Sequence, residues 1–409
     1  DLHWYPHSFP TRRSSDLAAG DDAAALPWLL RAADAARAGL RPREEAGFLA
    51  SAAGLARAGQ DAAGRFELLM RWQQAAETGQ GRLSALDILA QAQPVDDAQR
   101  ARWLVRRAEL LGEGGELDDA AALAEQALAL ALGLPQTALA TDALSVAAAA
   151  HHVAGRSAQA QTLLQQHWPL VERLPQAPIE LLTTRAQVTT GLGRPREAIT
   201  WYQQALQASR AHGTPVQVIR TLVSMARDQM VLGEIAAADA ALAEAEQRHA
   251  QHDGLALEHH GATGLRASTL RDLGRYDAAL VAYQASIDAE SDPQSLLALW
   301  QRVQRAQLWL VIGQAGRALQ DLDAAQGGSD RPPWFRAGLL LTRARIAGAR
   351  GQPMGRWLDE ADQVLPDDPA DFMVVQAGLL RAWAGAPAQP LLALAERCQY
   401  GGFALSLRW

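Results

Sequence analysis

Ten histidines, one cysteine and two glycine-rich stretches are the residues of this 409-residue chain whose types and spacing come nearest to chemistry. His151 with His152, His249 with His252, and His259 with His260 each place two imidazoles together, but no carboxylate or thiolate stands beside them at a convincing metal-ligand spacing. Ordinary surface or groove histidines are therefore expected. GQGRLS (79–84) and GEGGEL (112–117) lack the strand-turn-helix setting of a phosphate-cradling loop and read as helix connectors. Ser, His and Asp are plentiful, yet a nucleophilic triad is a matter of geometry and no nucleophile motif frames one. The chain has no Lys and no Asn, so all 38 of its basic residues are Arg. That removes a Lys Schiff base, a phosphate-loop Lys and an N-glycosylation acceptor. The lone Cys398 excludes an intrachain disulfide and a multi-Cys metal cluster, which suits a reducing cytoplasm. No catalytic, cofactor or metal site is assigned, and the chain is expected to bind rather than to catalyse.

Composition bounds the partner as well. Residues are 49% hydrophobic, 20% charged and 6% aromatic, with a net charge of -7. Such a chain can bury a large core, and its acidic balance gives no support to direct nucleic-acid contact or to an anionic membrane surface. No apolar run approaches the length of a membrane span, and no signal-peptide pattern is visible.

The elements that must position any site come from a repeat. LGRPREAITWYQQAL (192–206) recurs as LGEIAAADAALAEAE (232–246), LGRYDAALVAYQASI (273–287) and IGQAGRALQDLDAAQ (312–326). Counting from the Gly, small residues follow at +5 and +12: Ala120 and Ala127, Ala198 and Ala205, Ala238 and Ala245, Ala279 and Ser286, Ala318 and Ala325. After Gly155 the second of these is His167. Seven residues before the Gly stand Ala52, Ala108, Ala148, Ala186, Ala226, Ala267, Ala306 and Ala344, and eleven before it Leu104, Leu144, Leu182, Leu222 and Leu340. The pattern predicts two antiparallel helices per repeat. Gly closes the first, Ala lets the two backbones approach, and Leu fills the space between layers.

This register resembles the tetratricopeptide repeat family. The resemblance implies an all-α, right-handed α-solenoid of stacked helix pairs. Successive reference glycines at 115, 155, 193, 233, 274, 313 and 351 are 38 to 41 residues apart, longer than the family's usual 34, so extended helices or connections are expected. HEAT-type repeats share the longer period, but the +5 and +12 signature favours the tetratricopeptide reading. Where the register fails, irregular structure is expected: around 64–95, because Gly59 and Gly115 are 56 residues apart, and in a loosened cap over 351–409.

Residues 1–17 share none of this composition. HSFPTRRSSDL resembles the translated end of a sequencing adapter, so 1–17 is expected to be artefactual and 18–409 the repeat domain. Gly20, with Ala25 and Ala32 at the register positions, then marks the second helix of a repeat whose first helix is missing. The apolar side of residues 22–38 should be left open, and a preceding domain is expected in the intact gene.

In such solenoids one side of each first helix lines a groove, selecting positions 13, 10, 6 and 3 before each Gly. These give Arg102, Glu109, Asp142, Ser145, His152, Glu180, Thr183, Gln187 and Thr190, then Arg220, Arg227, Met230, Arg271, Trp300, Gln307, Leu310 and Arg345. The candidate partner-binding residues are Asp142, His152, Glu180, Gln187, Arg220, Arg227, Arg271, Trp300, Gln307 and Arg345. The groove is mixed in its first half and more basic, with an aromatic anchor, in its second; it suits an acidic, partly apolar peptide or small effector. Of the Trp residues only Trp300 falls in it, and the rest are expected to fill the core or the space between repeats. Arg recurs immediately before the small residue, at 107, 185, 266, 305 and 343. These form either a ladder for a polyanion or staples whose stems pack between repeats and whose heads pair with neighbouring carboxylates.

Two function classes follow. Repeats of this composition resemble the C-terminal sensor arm of bacterial multidomain regulators, in which a signal-transduction ATPase and a DNA-binding domain precede a superhelix. That implies a cytoplasmic protein- or effector-binding arm of a larger transcriptional regulator. The alternative is a stand-alone scaffold or assembly protein. Chaperone-tail clamps of this family use Lys and Asn in the groove, and their absence argues against that role.

Overall fold

Each reference glycine from Gly115 to Gly351 adopts a left-handed backbone, with φ between 68° and 85°. Only a residue without a Cβ does so without strain, and the turn lets the following N–H reach back to a carbonyl in the last helical turn. Thus Arg194 N–H donates to the Thr189 carbonyl at 3.2 Å and Gln314 N–H to that of Trp309 at 2.7 Å. The first helix stops there and the second begins two residues later, or four after Gly351.

A computed structural model describes residues 22–39, 41–55, 62–251, 256–290, 292–326, 331–365, 372–387 and 389. Nineteen helices and no strand occur among them. They fall into two compact units. The first comprises the described parts of 1–154 with 163–176. It holds α1 (Asp22–Ala38), α2 (Pro42–Leu55), α3 (Ala62–Gln80), α4 (Arg82–Leu89), α5 (Asp97–Glu113), α6 (Leu117–Leu132), α7 (Thr137–Val153) and the end of α8 (Ser157–Val171). The second comprises the described parts of 155–162 with 177–409. After the start of α8 it holds α9 (Ile179–Gly191), α10 (Pro195–His212), α11 (Pro215–Val231), α12 (Ile235–Ala250), α13 (Ala256–Asp272) and α14 (Tyr276–Asp288). It continues with α15 (Leu296–Val311), α16 (Ala315–Ala325), α17 (Pro333–Ala349), α18 (Gly355–Asp362) and α19 (Phe372–Trp383). Helices of up to 18 residues in the regular repeats account for the long period.

Burial follows the small-residue register. Ala108, Ala148, Ala186, Ala226, Ala267, Ala306 and Ala344 are at most 1% exposed, as are Ala120, Ala160, Ala198, Ala238, Ala279 and Ala318. Ala186 and Ala198 share one cluster with Tyr202, Leu206, Ile219 and Leu222, so the helices of a pair meet through methyl groups while larger side chains fill the flanks. Leu104, Leu144, Leu182 and Leu222 are buried; Leu340 is only half-buried, packed against the cluster around Leu358.

Two regions differ from the expectation of irregular or open structure. Residues 64–95 carry the regular helices α3 and α4, joined at Gly81, where φ is 95°. The long interval between glycines is thus largely filled by an additional short helix. Arg82 fastens it, donating from Nη1 to the Leu110 carbonyl at 3.2 Å at the end of α5. The apolar side of α1 rests on α2 through Leu29 and Ala33, while Trp28 stays 43% exposed beneath Arg31. Near the other end α18 has only eight residues. The segment 1–17, the position before Gly20 and Cys398 lie outside the described residues.

Candidate functional site

In the second unit, first helices α9, α11, α13, α15, α17 and α19 each touch the next first helix. Second helices make no comparable contact with one another among the described residues, so the row of first helices is the closely spaced, inner side of this unit. The predicted groove residues divide according to what they meet there.

One group is spent on the fold. Ser145 is buried, Met230 and Leu310 pack against core clusters, and Arg102 holds Glu67 at 2.7 and 2.9 Å. Thr183 bonds back to the Ile179 carbonyl, and Thr190 donates to Asp228 at 2.5 Å. Asp228 is itself buried, which raises its carboxyl to about 7 against the opposing pull of Thr190 and Arg227. A second group is more accessible: Asp142, Glu180, Arg220 and Arg227 are exposed, and His152 and Gln187 are half-buried. Glu180 accepts from Gln217 Nε2 at 3.2 Å. In the first unit, Arg106 joins Glu77 and Glu109, while burial first, and then the charges of Glu77 and Asp142, raise the Glu109 carboxyl. That cluster is acidic and internally paired.

A third group is drawn together across α13, α15 and α17. Arg271 donates from Nη1 to Gln307 Oε1 at 3.2 Å and to Gln304 Oε1 at 3.3 Å, and from Nε to Asp272 at 2.8 Å. Gln307 Nε2 passes the chain on to Thr342 Oγ1 at 3.2 Å. Arg345 stands one turn beyond Thr342 on the same helix and is half-buried. Two turns towards the other end, Trp300 meets Trp334 edge to face at 5.2 Å and Phe335 at 6.1 Å. Sequence reasoning missed Gln304, Thr342, Trp334 and Gly338. The last carried the one available signal: a glycine at a groove position, and a Cβ there would meet Trp300 at 2.6 Å.

The recurrent arginines are engaged. Arg305 and Arg343 hold carboxylates on α16, Arg266 holds Asp239 and Glu246 on α12, and Arg185 and Arg107 lie over the rings of Trp201 and Trp103. This is the staple arrangement. Tryptophans are less buried than a core role requires: none of those described is fully buried, and Trp103 and Trp309 place their indole N–H on Leu89 and Asp321. A large ring with a polar edge fits the flank between helices better than the methyl-lined centre. His151 Nε2 meets Glu125 at 2.6 Å, and no group of side chains suited to a metal ion occurs among the described residues. His252 and the side chains of His259 and His260 are not among them. An open depression of about 420 Å³ between α10 and α11 is lined by Gln203, Leu206, Gln207, Arg210, Met225 and Gln229, but Arg210 is already bound to Glu244.

No protein-family model matches the chain, and no curated protein matches it. Solved structures do. A Rap protein complexed with Competence and Sporulation Factor is 11% identical with a TM-score of 0.57, over 93% of this chain and 98% of that one. The apo form of the quorum sensor NprR from B. thuringiensis is 12% identical with a TM-score of 0.54, over 85% and 100%. A signal transduction ATPase with numerous domains and a tetratricopeptide repeat sensor, from Pyrococcus horikoshii, is 13% identical with a TM-score of 0.52, over 84% of this chain and 51% of that one. The chain has the tetratricopeptide-repeat fold. At these identities the likeness carries architecture alone. No described helix is long and apolar enough to cross a membrane.

Proposed function

We propose that this chain is a protein- or peptide-binding tetratricopeptide module that recognises its partner along the inner row of first helices, as the sensor arm of a larger cytoplasmic regulator. The observation that carries this reading is the row of first helices in the second unit, each touching the next, on which Glu180, Arg220 and Arg227 are exposed. A solenoid offers such a row as a continuous surface for an extended ligand. Names of similar structures agree in kind: one is a complex of Rap with Competence and Sporulation Factor, another contains a tetratricopeptide repeat sensor. The role is binding, with no turnover, and contact with nucleic acid is left to other parts of such a regulator. In the second unit the partner lies along the positions from Glu180 and Gln187 to Arg345, and in the first unit Asp142 and His152 are candidate contacts of their own.

A peptide array screened with the full chain tests this. Ligands should be bound, and Arg220→Glu with Arg227→Glu should weaken them at least about tenfold with an unchanged melting temperature. Binding that ignores these two changes and is lost on altering exposed residues of the second helices, such as Arg196, would overturn it. Upstream coding sequence carrying an ATPase or helix-turn-helix segment supports the regulator; further repeats up to a start codon support a scaffold.

A further inference from the structure

Arg345 differs from Arg271, Arg305 and Arg343 on the same three helices, α13, α15 and α17. Arg271 is bonded to Asp272, Gln304 and Gln307, and the neighbouring staples Arg305 and Arg343 hold Asp321 and Asp323. Among the described residues Arg345 has neither a hydrogen bond nor an ion pair, although it is half-buried. Burial, and after it the charge of Arg271, push its guanidinium down to about 10 against the pull of Asp272. A desolvated, like-charge-opposed cation lacks a counter-anion. Since Asp272 already balances Arg271, the site is short of one negative charge, which matches a carboxylate better than a dianionic phosphate.

The opposite end of the same surface is apolar. Trp300 lies over Gly338, where a Cβ would come within 2.6 Å of its ring, and Trp334 leans on it while remaining 44% exposed. Trp300 precedes Gln307 by seven residues on α15, and Gly338 precedes Arg345 by seven on α17. Seven residues at 1.5 Å each separate the indole shelf from the cation by about 10 Å. An extended peptide advances about 3.3 Å per residue, so that distance is about three residues.

We propose that this face takes an extended acidic peptide whose carboxylate is bound by Arg345 beside Arg271 and whose large apolar side chain, three residues away, lies on Trp300 and Trp334. The proposal rests on the peptide-binding reading above and adds the chemistry and spacing of the ligand. Arg matches a carboxylate with two parallel N–H donors, and the indoles supply the apolar contact.

The test uses the full chain and labelled synthetic peptides of the form Leu-x-x-Asp and Asp-x-x-Leu within amidated eight-residue frames, their Asn counterparts, and Leu-x-x-Ala with a free terminal carboxylate. Asp should be preferred to Asn by about tenfold. Whichever of the side-chain and terminal carboxylate binds tighter identifies the source. Arg345→Gln should reduce the Asp-over-Asn ratio to about one while the melting temperature holds or rises, because the variant removes an unpaired charge. Gly338→Ala, which displaces Trp300, should weaken Leu peptides and leave their Ala-for-Leu analogues unchanged. If peptides bind but the Asp preference is absent, or survives in the Gln variant, this subsite is wrong while the broader reading stands. If neither this set nor a random array yields any bound peptide, both fall.

Discussion

Arg305 grips Asp321 with two parallel donors, Nε at 2.8 Å and Nη2 at 2.6 Å, across the junction of α15 and α16. Trp309 Nε1 donates to the same carboxylate at 3.1 Å. Both partners are largely buried, so removing one strands the other in a place water does not reach. Arg305→Gln should therefore lower unfolding stability by about 3 kcal/mol, the usual range for breaking a buried pair. Denaturant unfolding of the variant checks this. A change below about 0.5 kcal/mol, the range of ordinary surface substitutions, would instead return Arg305 to a ligand-facing role.

Ala198 on α10 and Ala186 on α9 are both fully buried in one cluster, where the two helices cross. No room exists there for three more carbons without separating the helices. Ala198→Leu should cost about 1–3 kcal/mol, whereas Arg196→Leu, two residues away on the exposed side, should stay within about 0.5 kcal/mol. Circular-dichroism melts of the two variants measure the difference.

These two sites mark what is legible in the sequence. A Gly with small residues at fixed distances reports a local turn and a close helix crossing, and both are sequence-local constraints, so the register carried through every regular repeat. The linkage of Arg271 to Thr342 through Gln307 joins residues 71 positions apart in sequence across three helices, and no periodicity encodes it. The helix-turn-helix over 62–89 was hidden for a related reason: Gly81 turns the chain outside the register, and the Arg82 bond that fixes α4 reaches 28 residues forward. Positions 13 and 6 before the Gly found Trp300 and Gln307; which of them would be occupied depended on neighbouring helices.

Asp228 gives a pH dependence of known sign. It is 2% exposed, and its carboxyl is raised by burial to about 7, against about 3.9 in an unfolded chain. The folded state therefore holds a proton that the unfolded state has released, and stability falls as pH rises from about 4 to about 7, then levels. Buried Tyr202 lies close enough for the Asp228 charge to raise its hydroxyl further. Asp228→Asn should gain on the wild type across that window, by up to about 4 kcal/mol at pH 8, with little difference at pH 4. Paired denaturant titrations at pH 4, 5, 6, 7 and 8 isolate this group, because every other carboxylate cancels in the difference. A difference that does not grow with pH would place Asp228 in contact with water.

Two glycines three residues apart should respond to the same substitution with opposite signs. Gly313 ends α15 with φ of 77°, and the Gln314 N–H that it turns back reaches the Trp309 carbonyl. Space is open around its would-be Cβ, so the penalty for Ala is purely that of the left-handed backbone, about 1–2 kcal/mol. Gly316 lies within the first turn of α16, has ordinary helical backbone and likewise nothing within 4 Å of an added Cβ. There Ala restricts the unfolded chain and favours the helix, so Gly316→Ala should stabilise by about 0.5 kcal/mol. Measuring both variants against the wild type under one set of conditions separates backbone strain from packing. Destabilisation by both would mean that side-chain space, and not the left-handed turn, governs this junction.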